Sequence, residues 1–192
     1  YAGENSVGIY SLGDITNIST AGRTINLDSE ATGMYGEEGT DMDLSGSIFS
    51  SSRGAKGIAN KNTTSSASGR ISNNGSISLL GDESVGVYGE GLNLIENLSG
   101  KTIEVGNSNV KSSVGIYGKN VTSIRNDGSL IFGTGATGIY GDGVTSVINS
   151  STGLITNNSS TEGTGIFAKN SMVENRGTIL LGDTSNGIYA EN

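Results

Sequence analysis

One phrase, a glycine followed by an aliphatic residue and then usually a tyrosine, returns eight times in 192 residues. Its glycine stands at Gly8, Gly33, Gly57, Gly86, Gly115, Gly138, Gly165 and Gly187, at intervals of 22 to 29 residues. No other feature restricts the fold as much, because the same word at a near-constant interval calls for a unit stacked on copies of itself. Inside each period a second word follows, an aliphatic residue, any residue, then asparagine. It runs from Ile15 to Asn17, Ile71 to Asn73, Ile95 to Asn97, Ile124 to Asn126, Val147 to Asn149 and Val173 to Asn175, and Met42 to Leu44 breaks it in the second period. A third word closes the period with glycine and an aliphatic run, as in GSISLL from Gly75, GKTIEV from Gly100, GSLIF from Gly128 and GTILL from Gly177.

All three words are strand-sized and lie between Gly, Asn, Ser and Asp, the residues that make turns and tolerate positive φ. None holds a 3.6-residue apolar pattern for two turns, so no helix is expected. A period of this length without helix predicts an all-β solenoid, a parallel β-helix of about eight coils of 22 to 29 residues, each coil contributing three short strands to three parallel sheets. Leucine-rich repeats share the period but not the framework of leucines and asparagine. An antiparallel sandwich gives no reason for identical words at identical positions. YAGENSVGIY from Tyr1 aligns with LLGDESVGVY from Leu79, so the chain opens at the end of a third strand. Residues 1–192 are therefore expected to form a single β-helix segment excised from a longer repeat array.

Composition narrows the chemistry. Gly supplies 32 residues and hydrophobics only 33%, a balance shared with disordered polar segments, but the regular apolar runs supply the burial that disorder lacks. The net charge of −8 comes with no basic cluster, which argues against nucleic acid as a partner. With no Cys and no His, disulfide frameworks, thiolate nucleophiles and the common triads and zinc sites are excluded. No apolar run approaches the roughly 20 residues that span a bilayer as a helix, and the segment is not expected to be membrane-inserted.

Several stretches invite a chemical reading. Gly133 to Gly138 matches G-x-G-x-x-G after an apolar run, but a dinucleotide turn needs a helix opening at the third glycine, and the repeat predicts a strand there. Glu37, Glu38, Asp41 and Asp43 form the densest acidic group. They offer oxygen ligands for Ca²⁺ or carboxylates for polysaccharide cleavage, and the simpler reading is a solvated loop. The motif asparagines suit coil corners, and stacked amides bond along an axis as a ladder. No catalytic, cofactor-binding or metal-ligating set is expected.

Two columns follow from alternation along the first strand. The aliphatic position (Ile9, Met34, Ile58, Val87, Ile116, Ile139, Ile166, Ile188) is expected to face inward, and the next residue outward. This makes Tyr35, Tyr88, Tyr117, Tyr140, Phe167 and Tyr189 the candidate binding face. Lys56 and Asn186 share the parity of the aliphatic position, so the strand must bend at the motif glycine. Two residues beyond the tyrosine stand Glu37, Lys61, Glu90, Lys119, Asp142, Lys169 and Glu191. Their signs alternate at every step, which predicts an exposed charge ladder that fixes the register of one coil on the next.

The words NSVGIYSLGDITNIS, ENRGTILLGDTSNGIYAEN and IRNDGSLIFGTGATGIYGDG resemble the passenger repeats of type V autotransporters, in particular the large fusobacterial outer-membrane adhesins. That resemblance spans the chain as a style of repeat. It implies a right-handed β-helix, non-enzymatic and without cofactor, displayed as a rod on the cell surface and anchored in the outer membrane through a C-terminal barrel outside this segment. It also implies partners among the surface proteins or glycans of host cells or other bacteria. The alternatives are a passive spacer that presents a distal binding domain and a polysaccharide-processing β-helix.

Overall fold

The computed structural model describes residues 1–12, 18–20, 22–64, 67–107, 112–159 and 161–192; the word from Ile15 to Asn17 lies outside them. Every regular element among the described residues is a strand. The strands form three wholly parallel sheets of eight, seven and seven members, and consecutive strands of the chain fall in different sheets. The first sheet runs from Val7–Ser11 to Asp183–Glu191, the second from Ile18–Ser19 to Val173–Asn175, and the third from Thr24–Asn26 to Thr178–Leu180. The chain is therefore a β-solenoid. Eight phrases give eight strands in the first sheet, but the other two sheets hold seven each, so complete circuits are fewer than the phrases.

Stacking is word upon word. Val87 lies in register with Ile58 and Ile116, Asn97 with Asn73 and Asn126, and Ile103 with Ile77 and Leu130. The aliphatic column of the first sheet faces inward: Met34, Ile58, Val87, Ile116, Ile139 and Ile166 are all 0% exposed. Each contributes about 1.5–3 kcal/mol by burial. Ile71, Ile95 and Ile124 from the second sheet and Ile77, Ile103 and Leu130 from the third meet them in one connected core. The column is open at its ends, where Ile9 is half-buried and Ile188 is 46% exposed.

At seven of the eight motif positions the glycine has a steric cause, Gly187 being the exception. None of the eight has positive φ. In every described pairing of the first sheet the register steps over this residue, which is the bend that Lys56 required. There the backbone folds inward against both the next coil and the third sheet. A Cβ on Gly57 would stand 2.4 Å from the Gly86 carbonyl oxygen, and one on Gly115 would stand 2.6 Å from both the Gly138 carbonyl oxygen and Leu130 Cδ2. Real Cβ atoms do not approach so closely, so only glycine fits.

The second sheet ends in an amide ladder. Asn73 donates through Nδ2 to Oδ1 of Asn97 (2.8 Å), Asn97 to Asn126 (2.9 Å), Asn126 to Asn149 (2.9 Å) and Asn149 to Asn175 (2.8 Å). The first four are 0% exposed. The second hydrogen of Asn97 reaches the Ser129 carbonyl at 3.2 Å, and that of Asn126 the Leu154 carbonyl at 3.4 Å, which ties each second-sheet strand to the third sheet one coil away. Leu44 occupies the ladder position beneath Asn73, and Asn73 Oδ1 instead accepts from the backbone N–H of Gly75 at 3.2 Å. This is where the sequence breaks the word.

Candidate functional site

The candidate face is the outer surface of the first sheet, positioned by the bend at each motif glycine. Beyond the bend, alternation sends Val87 inward, Tyr88 outward, Gly89 inward and Glu90 outward. Parallel register then stacks each outward residue on its counterparts. Tyr10 and Tyr35 stack with ring centroids 5.6 Å apart. Tyr88, Tyr117, Tyr140, Phe167 and Tyr189 form a longer stack with successive spacings of 5.4, 4.9, 4.7 and 5.3 Å. The planes lie 8 to 22° apart in all these pairs, and each such pair contributes roughly 0.5–1.5 kcal/mol beyond burial. Between the two stacks the tyrosine position holds Ala59, in register with Tyr35 and Tyr88 and only 3% exposed.

Beside the rings the structure aligns all seven charged residues in register. Glu37 partners Lys61, Lys61 partners Glu90, Glu90 partners Lys119, Lys119 partners Asp142, Asp142 partners Lys169, and Lys169 partners Glu191. Glu90 closes ion pairs in both directions, to Lys119 at 3.1 Å and to Lys61 at 3.7 Å. Rings and charges are linked along two of the strands, because residues two apart share a face: the Tyr88 hydroxyl donates to Glu90 at 2.8 Å and the Tyr35 hydroxyl to Glu37 at 2.9 Å. Reversing Lys119→Glu sets three carboxylates in a row. The melting temperature is expected to fall more than for Lys101→Glu, and calorimetry at low and at molar salt should show the difference shrinking as screening grows.

Burial, then the hydrogen bond to Glu90, pushes the Tyr88 hydroxyl well above the ordinary tyrosine range. The same causes, with Glu37 as partner, raise Tyr35, and burial with the neighbouring Tyr140 raises Tyr117. Burial alone would raise Glu90, but the Tyr88 hydroxyl and the Lys119 ammonium outweigh it and hold the carboxyl below its usual 4.5. The raised tyrosines favour the folded state as neutral phenols. Their contribution is complete below the ordinary value of 10.0 and falls as pH rises past it, while that of Glu90 is present above 4.5 and is lost in acid. Stability is expected to be level between those values and to drop in alkali, with phenolate absorbance of the native chain appearing later than that of the unfolded chain.

The other stretches dissolve into the repeat. The glycines from Gly133 to Gly138 lead into the strand Ala136–Asp142, so no helix end is present to hold a phosphate. Glu37 belongs to the charge ladder, Glu38 sits in a turn at φ 53°, and Asp41 and Asp43 lie on the second sheet in register with Arg70 and Ser72.

One irregular feature escaped the sequence reading. Between the strands Lys56–Lys61 and Arg70–Asn73 run eight residues, 62–69, where later coils have three, at 91–93, 120–122, 143–145 and 170–172. The excess length was the available signal. At this corner a cavity of about 480 Å³ opens, lined by Lys61, Asn62, Thr63, Thr64, Ala67, Glu90, Gly91 and Asn120.

Fold and face together define a parallel β-solenoid carrying an aromatic and an ionic ladder side by side. Comparison of the chain with protein-family models, with curated proteins and with solved structures finds no match.

Proposed function

We propose that this chain is a segment of a surface-displayed adhesin, a right-handed β-helical rod that attaches bacteria to other bacteria or to host cells. It acts without catalysis and is held at the outer membrane by a C-terminal barrel in another part of the protein. The observation that supports the reading most is the register of the first sheet, which gathers the repeats into an outward strip of two ring stacks beside a column of seven alternating charges. A rod that only filled space would need the inward columns alone. The style of repeat, resembling autotransporter passengers, points the same way.

The test is attachment by the purified chain. Fluorescently labelled protein is expected to bind bacterial or epithelial cells saturably and to be displaced by unlabelled protein. Absence of saturable binding to both would contradict the reading and favour a passive spacer.

A further inference from the structure

We propose that Tyr88 is an oxidative modification site: the stacked phenols Tyr88, Tyr117 and Tyr140 gather one-electron oxidising equivalents and deliver them to Tyr88, whose proton alone has an acceptor. The site concerns how the chain meets oxidants, and it holds whether or not the rod attaches to cells.

The ring column is divided by its exceptions. A tyrosine gives up an electron when its hydroxyl proton leaves with it, and neither phenylalanine nor alanine carries such a proton. Tyr88, Tyr117 and Tyr140 stack at centroid spacings of 5.4 and 4.9 Å, with planes 14 and 8° apart, so an electron passes from ring to ring in direct contact. Phe167, stacked on Tyr140 at 4.7 Å, ends the run on one side and leaves Tyr189 beyond it. Ala59 ends it on the other, placing Tyr35 two strand spacings, about 9.6 Å, from Tyr88. Three phenols in contact are thereby closed off at both ends.

The three differ in where a proton can go. The Tyr88 hydroxyl donates to Glu90 at 2.8 Å, and among the described residues no acceptor meets the hydroxyl of Tyr117 or Tyr140. Lys119 at 3.1 Å and Lys61 at 3.7 Å keep Glu90 a carboxylate, so a base stands ready at neutral pH. Burial holds the Tyr88 phenol protonated well past neutrality, which makes that base necessary, because the electron leaves readily only if the proton moves in the same event. Once the proton has moved, the Glu90 acid donates back to the phenoxyl oxygen and holds the unpaired electron on this ring. The other two phenoxyls would have no such donor.

The oxidants that fit are small one-electron radicals, because stacking along the axis leaves mainly ring edges open to solvent. With the carbonate radical anion and nitrogen dioxide the steps balance. The carbonate radical takes one electron from a phenol of the stack and becomes carbonate. If that phenol is Tyr117 or Tyr140, an electron follows from Tyr88, the oxidised neighbour regains a proton from water, and Tyr88 gives its own proton to Glu90. Nitrogen dioxide then forms a C–N bond at the ring carbon beside the Tyr88 hydroxyl. That carbon loses its hydrogen as a proton, the ring becomes aromatic again as 3-nitrotyrosine, and the net proton released converts carbonate to bicarbonate.

Peroxynitrite in bicarbonate buffer at neutral pH supplies both radicals, at a dose that nitrates only a minority of chains, and mass spectrometry maps the label over the seven tyrosines. Tyr88 is expected to carry more label than Tyr117 or Tyr140, and more than Tyr10 and Tyr189, although these two are 57% and 47% exposed. Tyr1, outside the stack and 85% exposed, gives the reference yield in every protein. Tyr117→Phe keeps a stacked ring but breaks the run of phenols, so label is expected to shift from Tyr88 to Tyr140. Glu90→Gln leaves a carbonyl for the hydroxyl but no base, and the Tyr88 yield is expected to fall roughly tenfold while Tyr117 and Tyr140 gain. Loosened packing would not move label from one ring of the stack to another in this way. Label that follows exposure, with Tyr10 and Tyr189 ahead of Tyr88, would overturn the proposal, as would a Tyr88 yield unchanged by both variants. If Glu90→Gln fails to fold, the position of the label in Tyr117→Phe decides alone.

Discussion

Gly86→Ala is expected to destabilise the chain by about 3 kcal/mol or more, the upper end of what overpacking a buried site does. The added methyl would stand 2.5 Å from the Gly115 carbonyl oxygen and 2.6 Å from Ile103 Cγ2. Neither can yield cheaply, because the first belongs to the next coil's backbone and the second to a core side chain that is 0% exposed. Two other glycines provide the scale. Gly187→Ala meets nothing within 4 Å and is expected to stay within roughly 0.5 kcal/mol of the parent. Gly100→Ala also meets nothing within 4 Å but has φ +73°, so it should lose only the roughly 1–2 kcal/mol of a left-handed residue. Urea denaturation of the three variants measures the series, and equal losses at Gly86 and Gly100 would mean that backbone conformation, not close approach, selects the motif glycine.

Asn126→Ala is expected to cost about 3 kcal/mol. Truncation leaves the Asn97 donor and the Asn149 acceptor without their ladder partners in a site that is 0% exposed, and each buried polar group so orphaned costs about 1–3 kcal/mol. Asn175, exposed at the end of the ladder, should lose far less on the same substitution. Asn126→Asp separates hydrogen bonding from packing. Its carboxylate can accept from Asn97 but not donate to Asn149, so the buried acid favours its protonated form and its folded pKa is raised. The Asp variant should approach the parent's stability below the ordinary aspartate value of about 4 and fall behind as pH rises. Equal unfolding midpoints for the parent and the Ala and Asp variants at neutral pH would show that the amides do not hold the coils together.

What the sequence made legible was whatever repeats. Tyr88 and Val87 differ by one position, and period-two alternation alone assigns one outward and the other inward. The asparagine ladder was readable because Asn73, Asn97, Asn126 and Asn149 recur at one offset after an aliphatic residue. The motif glycine was recognised as the point where the strand bends, but its close packing was not legible, since a single sequence does not show which backbone lies against it. The coil count ran high because each phrase was taken as a full circuit, whereas the last supplies a first-sheet strand alone among the described residues. The cavity was not legible, because its walls come from Lys61, Glu90 and Asn120 on three successive coils, joined only when the solenoid stacks.

The central claim is that each repeat is one coil laid in register on the last, so that residues far apart in sequence become neighbours along an axis. Spin-label distances test it directly, because the chain has no Cys and introduced cysteines would be the sole attachment points. Thr24, Ser47, Ser76 and Thr178 lie in one column of the third sheet, linked through Thr102, Ser129 and Leu154. Pairs of labels from Thr178 to Ser76, Ser47 and Thr24 span four, five and six strand steps. Pulsed-EPR distances of about 19, 24 and 29 Å are expected, at about 4.8 Å per step. Distances that fail to grow by a constant step from Ser76 to Thr24 would contradict the stacking on which every part of the account depends.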